Sequence, residues 1–152
     1  MTTTTSALPP LEALDSNPPG ISNNHHAGRE VYQKIAANIA RLTALGVQVH
    51  IAELDVSLPI DSTGQASNTD LLRQADAYRG IVRACLQSPG CTAIQTWGFT
   101  DKYSWIGSHS HGTRGAALPF DRAYKPKAAY ESMVQETAAR ESPFSKRTAG
   151  SR

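Results

Sequence analysis

Residues 47–56 constrain the fold of this chain more than any other segment, because they predict a short β-strand that ends in two carboxylates. Alternate residues of a strand point to the same side. One face therefore carries three apolar side chains and then two acids: Val47, Val49, Ile51, Glu53 and Asp55. An unpaired carboxylate is costly to bury. The pattern indicates a buried strand whose far end opens into a polar site; the alternative is a surface acid pair that follows a core strand.

A second segment, residues 96–105, combines aromatic, acidic and polar side chains after another apolar strand. Trp97 and Trp105 lie at its two ends, with a glycine, an aspartate and a tyrosine between them. Indole rings stack on the apolar C–H faces of pyranose sugars, and the indole N–H can reach a sugar hydroxyl. The segment therefore favours a sugar-binding loop at the end of a strand, and the alternative is a pair of core tryptophans.

The remaining pattern alternates helices and strands. A helical period over residues 30–45 ends at Gly46, a typical position for the residue after a helix. The strand follows at once, then a polar loop over 58–68 and a second helix capped by Thr69. A further strand over 91–97 leads into a long loop over 98–121, and a final helix begins near Pro126. The predicted inward side chains are Val31, Ile35, Ile39, Leu42 and Leu45, then Leu72, Ala75, Ile81 or Val82, and Cys85, and finally Tyr130, Met133 and Val134.

Composition excludes several classes of partner and cofactor. Charged residues make up 18% of the chain and the formal net charge is +2, which indicates neither a nucleic-acid nor a membrane partner. No apolar run approaches the roughly 20 residues of a membrane span. The two cysteines and five histidines lack the spacing of a metal site, so we expect no metal and no cofactor.

Three strings carry a resemblance to a known family. They are the Glu-Leu-Asp string at 53–55, the Trp-Gly-Phe-Thr-Asp-Lys-Tyr-Ser-Trp string at 97–105, and Pro-Phe-Asp at 119–121 with Lys-Pro at 125–126. In order and spacing they resemble the last part of a glycoside hydrolase family ten endo-1,4-β-xylanase. The resemblance implies an α/β fold, the (β/α)8 TIM barrel. Such barrels need roughly 250 residues, whereas this chain has 152.

The resemblance therefore implies a partial barrel, roughly its last two to three βα units. We expect residues 21–138 to be the C-terminal part of the catalytic domain, residues 1–20 a disordered or foreign leader, and residues 139–152 a disordered tail. The leader lacks the basic and apolar regions of a secretory signal. Since family members are usually secreted, we expect a secreted parent protein whose N-terminal half is absent from this chain.

The resemblance also implies roles for the singled-out side chains. Glu53 would be the catalytic nucleophile, and Asp55 would support it by holding an orienting histidine. Trp97 and Trp105 would bind the sugar under attack and its neighbour in xylan or xylo-oligosaccharides. His111 and Arg114, in the long loop after Trp105, are weaker candidates for contacts to xylan hydroxyls.

Two parts of the family's machinery are missing from the sequence. The family's acid/base is the glutamate of an Asn-Glu pair, and this chain has no Asn-Glu pair. We assign the role to none of the other glutamates, which are Glu12, Glu30, Glu131, Glu136 and Glu141. The orienting histidine belongs where Gly20 stands; His25 and His26 are expected in a surface loop, with His25 as a candidate substitute.

Cys85 and Cys91 flank a tight turn between helix and strand, and family relatives often have a disulfide here. The alternative, two free thiols, would fit a cytosolic chain. Two function hypotheses follow. The first is a retaining endo-1,4-β-xylanase represented by a truncated catalytic domain; the second is a non-catalytic xylan-binding or vestigial fragment that lacks the acid/base.

Overall fold

The computed structural model describes the backbone of residues 25–145 and the side chains of residues 30–140. The predicted leader, residues 1–20, lies outside this range. The elements in chain order are α1 (His25–Thr43), β1 (Val49–Leu54), β2 (Leu58–Pro59), α2 (Asn68–Gln87), β3 (Cys91–Thr96), a 3₁₀ turn (Asp101–Tyr103), α3 (Ile106–His109), β4 (Arg114–Gly115) and α4 (Ala128–Ser145).

Helix α1 ends as the sequence predicts, at a glycine with a left-handed backbone. Gly46 has φ 80°, and its N–H donates to the carbonyl of Thr43 at 2.9 Å while Val47 N–H donates to Leu42 at 3.3 Å. These two bonds form a Schellman motif, which satisfies carbonyls that the helix end would leave unpaired. The helix starts earlier than predicted, because His25 and His26 belong to α1 and not to a surface loop.

Fewer apolar residues of α1 are buried than its periodicity predicts. Ile39 is buried, whereas Val31 and Leu45, which the periodicity places on the same face, are exposed. Helix α1 packs on α2, where the Tyr32 ring lies against Gly80, and the Thr43 side chain lies against Gly90.

Strands β1 and β3 form a parallel pair, as an α/β unit requires. Paired positions include Val49 with Cys91, Ile51 with Ile94, and Leu54 with Thr96, and the register shifts between Ile51 and Leu54. The prediction of a buried strand is wrong, because every residue of β1 is half-buried or exposed. The irregularity also breaks the alternation that placed Glu53 on the face of Ile51. Within the described residues the sheet does not close into a barrel.

Among the described residues, helix α2 supplies more buried side chains than any other element. Tyr78 is fully buried against Val56, Ala77 and Ala129, and its hydroxyl donates to the carbonyl of Ala117 at 2.8 Å. The predicted inward positions Ala75, Val82 and Cys85 are buried, but Leu72 is 64% exposed. The capping residue is Ser67 and not Thr69, because Ser67 Oγ accepts the Asp70 N–H.

The disulfide between Cys85 and Cys91 is formed, and the bond joins the last turn of α2 to the first residue of β3. The bridge closes a loop with a sequence separation of 6, so it stabilises by less than the roughly 3 kcal/mol expected for a 15-residue loop.

Helix α4 packs on α2 through a different face from the one predicted. Ser132 Oγ donates to the carbonyl of Ala75 at 2.8 Å, and Arg83 donates to both carboxylate oxygens of Glu136 at 2.8 and 2.6 Å. Met133 is partly buried as expected, whereas Tyr130 and Val134 are exposed. The helix runs to Ser145, beyond residue 139, where we predicted a disordered tail to begin.

The long loop after β3 has structure of its own. It contains the 3₁₀ turn, α3 and strand β4, and β4 pairs antiparallel with β2. Gln74, buried in α2, donates to the carbonyls of Val56 at 2.6 Å and Ala116 at 2.5 Å, which ties this loop to the exit of β1. Among the described residues, no helix has the length and apolar character needed to cross a membrane.

Candidate active site

The parallel pairing brings the two singled-out segments to one edge of the sheet. Glu53 lies at the carboxyl end of β1 and Trp97 directly follows β3. The N–H of Trp97 donates to the carbonyl of Leu54 at 3.1 Å, which extends the pairing past the last strand residue. In open α/β sheets, ligands bind outside the carboxyl ends of the strands, so this edge is the candidate site.

Glu53 has an unusual backbone. Its φ is 62°, in the left-handed region that residues with a Cβ rarely adopt. The strain coincides with the register shift between β1 and β3. Within the described part of the chain, no group donates a hydrogen bond to the Glu53 carboxylate, and the residue is exposed. Strained non-glycine backbone persists where surrounding structure holds it, and it is concentrated at functional sites.

Asp55 is bonded to one of the two tryptophans. Trp105 Nε1 donates to Asp55 Oδ2 at 3.0 Å. Burial raises the pKa of the Asp55 carboxyl above its ordinary value, and the indole hydrogen bond partly opposes this by favouring the ionised form. The resemblance assigned a histidine to Asp55; the partner in the described structure is Trp105. Asp55 therefore fixes the position of an aromatic side chain beside the nucleophile candidate.

Both tryptophans present ring surface to solvent. Trp97 is 49% exposed and Trp105 is 38% exposed, so the alternative of two core tryptophans is wrong. The Trp105 ring contacts the His109 ring with centroids 4.8 Å apart. Exposed indoles beside a carboxylate suit the apolar face of a pyranose.

A buried ion pair that the sequence analysis did not predict anchors residues 97–105, which we call the aromatic loop. Lys127 Nζ donates to Asp101 Oδ2 at 3.0 Å, and the two side chains are only 10% and 8% exposed. Lys127 also donates to the carbonyls of Ala116 and Leu118, and Asp101 Oδ1 accepts the Leu118 N–H at 2.8 Å. Asp101 is thus a structural acid, and its place in the aromatic string was the one signal that could have singled it out.

The Arg114 side chain is hydrogen-bonded to Ser57. Its guanidinium donates to Ser57 Oγ at 3.0 Å and to the Ser57 carbonyl at 2.7 Å. These bonds join β4 to the chain that leaves β1, so the expected contact to sugar hydroxyls is replaced by a structural role.

The other described glutamates lie away from this edge. Glu30 pairs with Lys34 on α1 at 3.0 Å, and Glu136 pairs with Arg83 between α4 and α2. Glu131 lies in the first turn of α4. Glu12 and Glu141 lie outside the described side chains. In the described part of the chain, no three or more His, Cys, Asp or Glu side chains form a group that could hold a metal ion.

Replacing Trp105 by Phe tests the hydrogen bond to Asp55. The variant should lose about 1 kcal/mol of stability at neutral pH, because a partly buried carboxylate loses its donor. The indole N–H lowers the pKa of Asp55, so it stabilises the ionised form. Its contribution is complete above that pKa and disappears as the pH falls through it. Urea denaturation, followed by far-ultraviolet circular dichroism at neutral pH and at about pH 3, measures the difference.

Trp97→Phe is the matched control, since the Trp97 indole N–H has no hydrogen-bond acceptor among the described residues. A loss in Trp105→Phe that is the same at both pH values would contradict the assignment, because it would come from packing alone.

The chain is similar in sequence to known proteins. The family model of glycosyl hydrolase family 10 matches residues 20–136. An endo-1,4-beta-xylanase B of Thermotoga neapolitana is 42% identical over 99 residues, which are 65% of this chain and 28% of that protein. An endo-1,4-beta-xylanase D of Talaromyces funiculosus is 40% identical over 98 residues, 64% of this chain and 23% of that protein.

Solved structures give the same result. Xylanase 10B from Thermotoga petrophila RKU-1 in complex with xylobiose matches with a TM-score of 0.66 and 36% identity, over 72% of this chain and 32% of that one. Native xylanase 10B from Thermotoga maritima matches with a TM-score of 0.65 and 36% identity, over the same shares of both chains, 72% and 32%. The chain thus spans between about a quarter and a third of the length of these relatives.

Proposed function

The chain belongs to glycosyl hydrolase family 10, and from this membership we propose that it carries the nucleophile-bearing part of a retaining endo-1,4-β-xylanase. Glu53 is the nucleophile in this proposal, and the substrate is the β-1,4-linked xylose chain of xylan. Residues 21–138 would then correspond to roughly the last two to three βα units of the family's (β/α)8 barrel.

The observation that carries the proposal is the position and backbone of Glu53. It lies at the carboxyl end of β1 with φ 62°, next to the strand end that Trp97 extends. A strained, exposed carboxylate without a described hydrogen-bond donor is poorly explained by packing, whereas attack on an anomeric carbon needs an accessible oxygen.

The chemistry assigns a separate task to each residue at this edge. Glu53 attacks the anomeric carbon while the bond from that carbon to the leaving sugar's oxygen breaks and the second carboxyl of the pair protonates that oxygen. Water later hydrolyses the glycosyl-enzyme with net retention. Trp97 and Trp105 stack on the sugar rings and hold the scissile bond over Glu53. Asp55 fixes Trp105 through the bond to its Nε1. The second carboxyl of a retaining pair lies about 5–5.5 Å from the nucleophile, and no described glutamate other than Glu53 lies at this edge.

A second candidate function follows from that gap. The 152-residue chain contains no Asn-Glu pair, and general acid–base catalysis contributes roughly 10²–10⁴-fold to such rates. On its own the chain would then bind xylo-oligosaccharides through the tryptophans and cleave xylan far more slowly than a complete enzyme. The disulfide supports a secreted parent protein, since such bonds persist in oxidising compartments.

A substrate with an activated leaving group tests the proposal. In 2,4-dinitrophenyl β-xylobioside the leaving phenolate needs no proton, so the missing acid does not prevent attack by Glu53. We expect one equivalent of dinitrophenolate per chain, and a xylobiosyl adduct on the peptide that contains Glu53, detected by mass spectrometry. Adduct formation without measurable xylan hydrolysis supports the nucleophile-bearing part of a xylanase.

The alternative outcomes are distinct. Binding of xylotetraose without any adduct supports the non-catalytic xylan-binding function. Neither adduct nor binding, from a chain whose circular dichroism shows its helices, contradicts both.

A further inference from the structure

Three exposed rings and a lysine form a second surface beside the candidate site. We call Phe99, Lys102, Tyr103 and Tyr124 the aromatic platform. The exposed fractions of Phe99, Tyr103 and Tyr124 are 54%, 73% and 45%. The Phe99 and Tyr124 rings stack with centroids 6.1 Å apart and an interplanar angle of 25°. Contiguous exposed aromatic surface on a folded protein marks a binding site more often than isolated apolar residues do.

Polar groups border the exposed rings. The hydroxyls of Tyr103 and Tyr124 are hydrogen-bonded at 3.2 Å, and Lys102 Nζ donates to the Tyr124 hydroxyl at 3.2 Å. The same ammonium lies 4.9 Å from the Tyr124 ring centroid and 5.5 Å from that of Tyr103. Ring faces with donors and acceptors at their border match a pyranose, which has apolar C–H faces and hydroxyls around its edge.

The loop backbone holds Tyr124 in place. Its φ is 63°, a conformation that is strained for a bulky residue. Asp121 stabilises the turn, because its Oδ1 accepts the N–H groups of Ala123 and Lys125 at 2.8 Å each. The Tyr124 ring therefore keeps its stacked position without a ligand, which lowers the entropy lost on binding.

The charge around the platform is positive. Lys102, Arg122 and Lys125 form no ion pair with any carboxylate of the described residues. The two acids of the same segments are already engaged, Asp101 by Lys127 and Asp121 by backbone N–H groups. Lys102 lies against both tyrosine rings without an acidic partner, and the neighbouring residues of Tyr124, Arg122 and Lys125, add positive charge to the segment. This charge favours an anionic ligand over a neutral one.

We propose that the aromatic platform binds a uronic acid residue carried as a substituent on a xylan chain, with the pyranose against the tyrosine rings and its carboxylate paired with Lys102. Phe99, Lys102 and Tyr103 belong to the same segment as Trp97 and Trp105, and Tyr124 stacks on Phe99. A branched chain bound at the candidate site would then direct its substituent toward the platform. The identity of the carrier chain rests on the proposed function, whereas recognition of the uronate rests on the platform alone.

Comparing a neutral and an acidic ligand tests the proposal. Xylotetraose and the same oligosaccharide with one glucuronic acid substituent are titrated into the chain by calorimetry. We expect the acidic ligand to bind about threefold to fivefold more tightly, as an exposed ion pair allows, and the preference to fall in 1 M salt, where charges are screened. Lys102→Met should remove the preference and leave the affinity for xylotetraose unchanged.

Two controls separate the platform from the candidate site. Lys34→Met removes the same charge on α1, where Lys34 pairs with Glu30, and should keep the preference. Trp97→Ala should weaken the binding of both ligands equally and leave the ratio of their affinities unchanged. Equal affinity of the unaltered chain for the two ligands, or a preference that survives in Lys102→Met, overturns the proposal.

A further titration keeps the two proposals distinguishable. Should neither oligosaccharide bind, methyl glucuronide alone is titrated with nuclear magnetic resonance detection of the tyrosine rings, and the dinitrophenyl substrate decides the proposed function separately. Salt-sensitive shifts at Tyr103 and Tyr124 that are absent in Lys102→Met support the platform, and their absence from the unaltered chain overturns it.

Discussion

We expect Glu53→Gln to prevent formation of the xylobiosyl adduct from 2,4-dinitrophenyl β-xylobioside. The amide is nearly the same size as the carboxylate but has no negative charge and cannot form a glycosyl ester by attack. We expect the rate of dinitrophenolate release to fall by about 10³-fold or more, since removal of a nucleophile eliminates the covalent route. The measurement is the initial rate together with the intact mass of the chain.

Glu131→Gln is the matched control for this experiment. Glu131 is exposed in the first turn of α4, so its replacement makes the same chemical change away from the site and should leave the rate unaltered. Xylotetraose affinity should also survive in Glu53→Gln, because the tryptophan rings provide stacking. A Glu53→Gln chain that still forms the adduct at the original rate would assign the nucleophile to another residue.

We expect Lys127→Met to lower the free energy of unfolding by about 3–5 kcal/mol, the usual cost of removing one member of a buried ion pair. Asp101 is then left as a buried charge, and the carbonyls of Ala116 and Leu118 lose their donor. Burial lowers the pKa of Lys127, and the neighbouring carboxylates of Asp101 and Asp121 partly offset this effect. Trp97 and Trp105 are the chain's two tryptophans, so their fluorescence during urea denaturation reports on this loop.

Two further variants give the expected order of effects. Asp101→Asn should cost less than Lys127→Met, because the amide oxygen can still accept the Leu118 N–H and Lys127 keeps its two carbonyls. Lys34→Met breaks an exposed pair whose side chains are 72% and 66% exposed, and should cost no more than about 0.5 kcal/mol. Equal costs for Lys127→Met and Lys34→Met would show that the buried pair does not hold the loop.

Local patterns predicted the elements that depend on local physics. Gly46 ends α1 because a left-handed residue closes the last turn, and no distant contact is needed for that. The sequence pattern predicts the cap of α2 at Thr69, whereas Ser67 caps the helix. All three residues from Ser67 to Thr69 can cap a helix, and the contacts of the folded chain decide where it begins. The predicted inward face of α4 failed at Tyr130 and Val134, because the burial of a helix face depends on where its neighbour lies.

In the candidate site, too, some features follow from local sequence and others depend on contacts between distant segments. The order of residues placed Glu53 and Trp97 at strand ends, and parallel pairing then brought them to one edge. The left-handed backbone of Glu53 coincides with the irregular register between β1 and β3. That register involves a strand about 40 residues away in the chain, so no pattern within residues 47–56 could predict it. Lys127 lies 26 residues from Asp101 in the chain, and a lysine in a loop has no local signal that it will be buried.

The amino-acid sequence by itself predicted helices α1, α2 and α4, strands β1 and β3, and the acid and aromatic side chains of the candidate site, because these depend on short-range periodicity. Its specific strings indicated the family and, through that resemblance, the disulfide. Only the tertiary structure decided the backbone of Glu53, the bond from Trp105 to Asp55, the ion pair beneath the loop and the aromatic platform. These features depend on which distant segments meet and how much water they exclude, and both follow from packing of the folded chain.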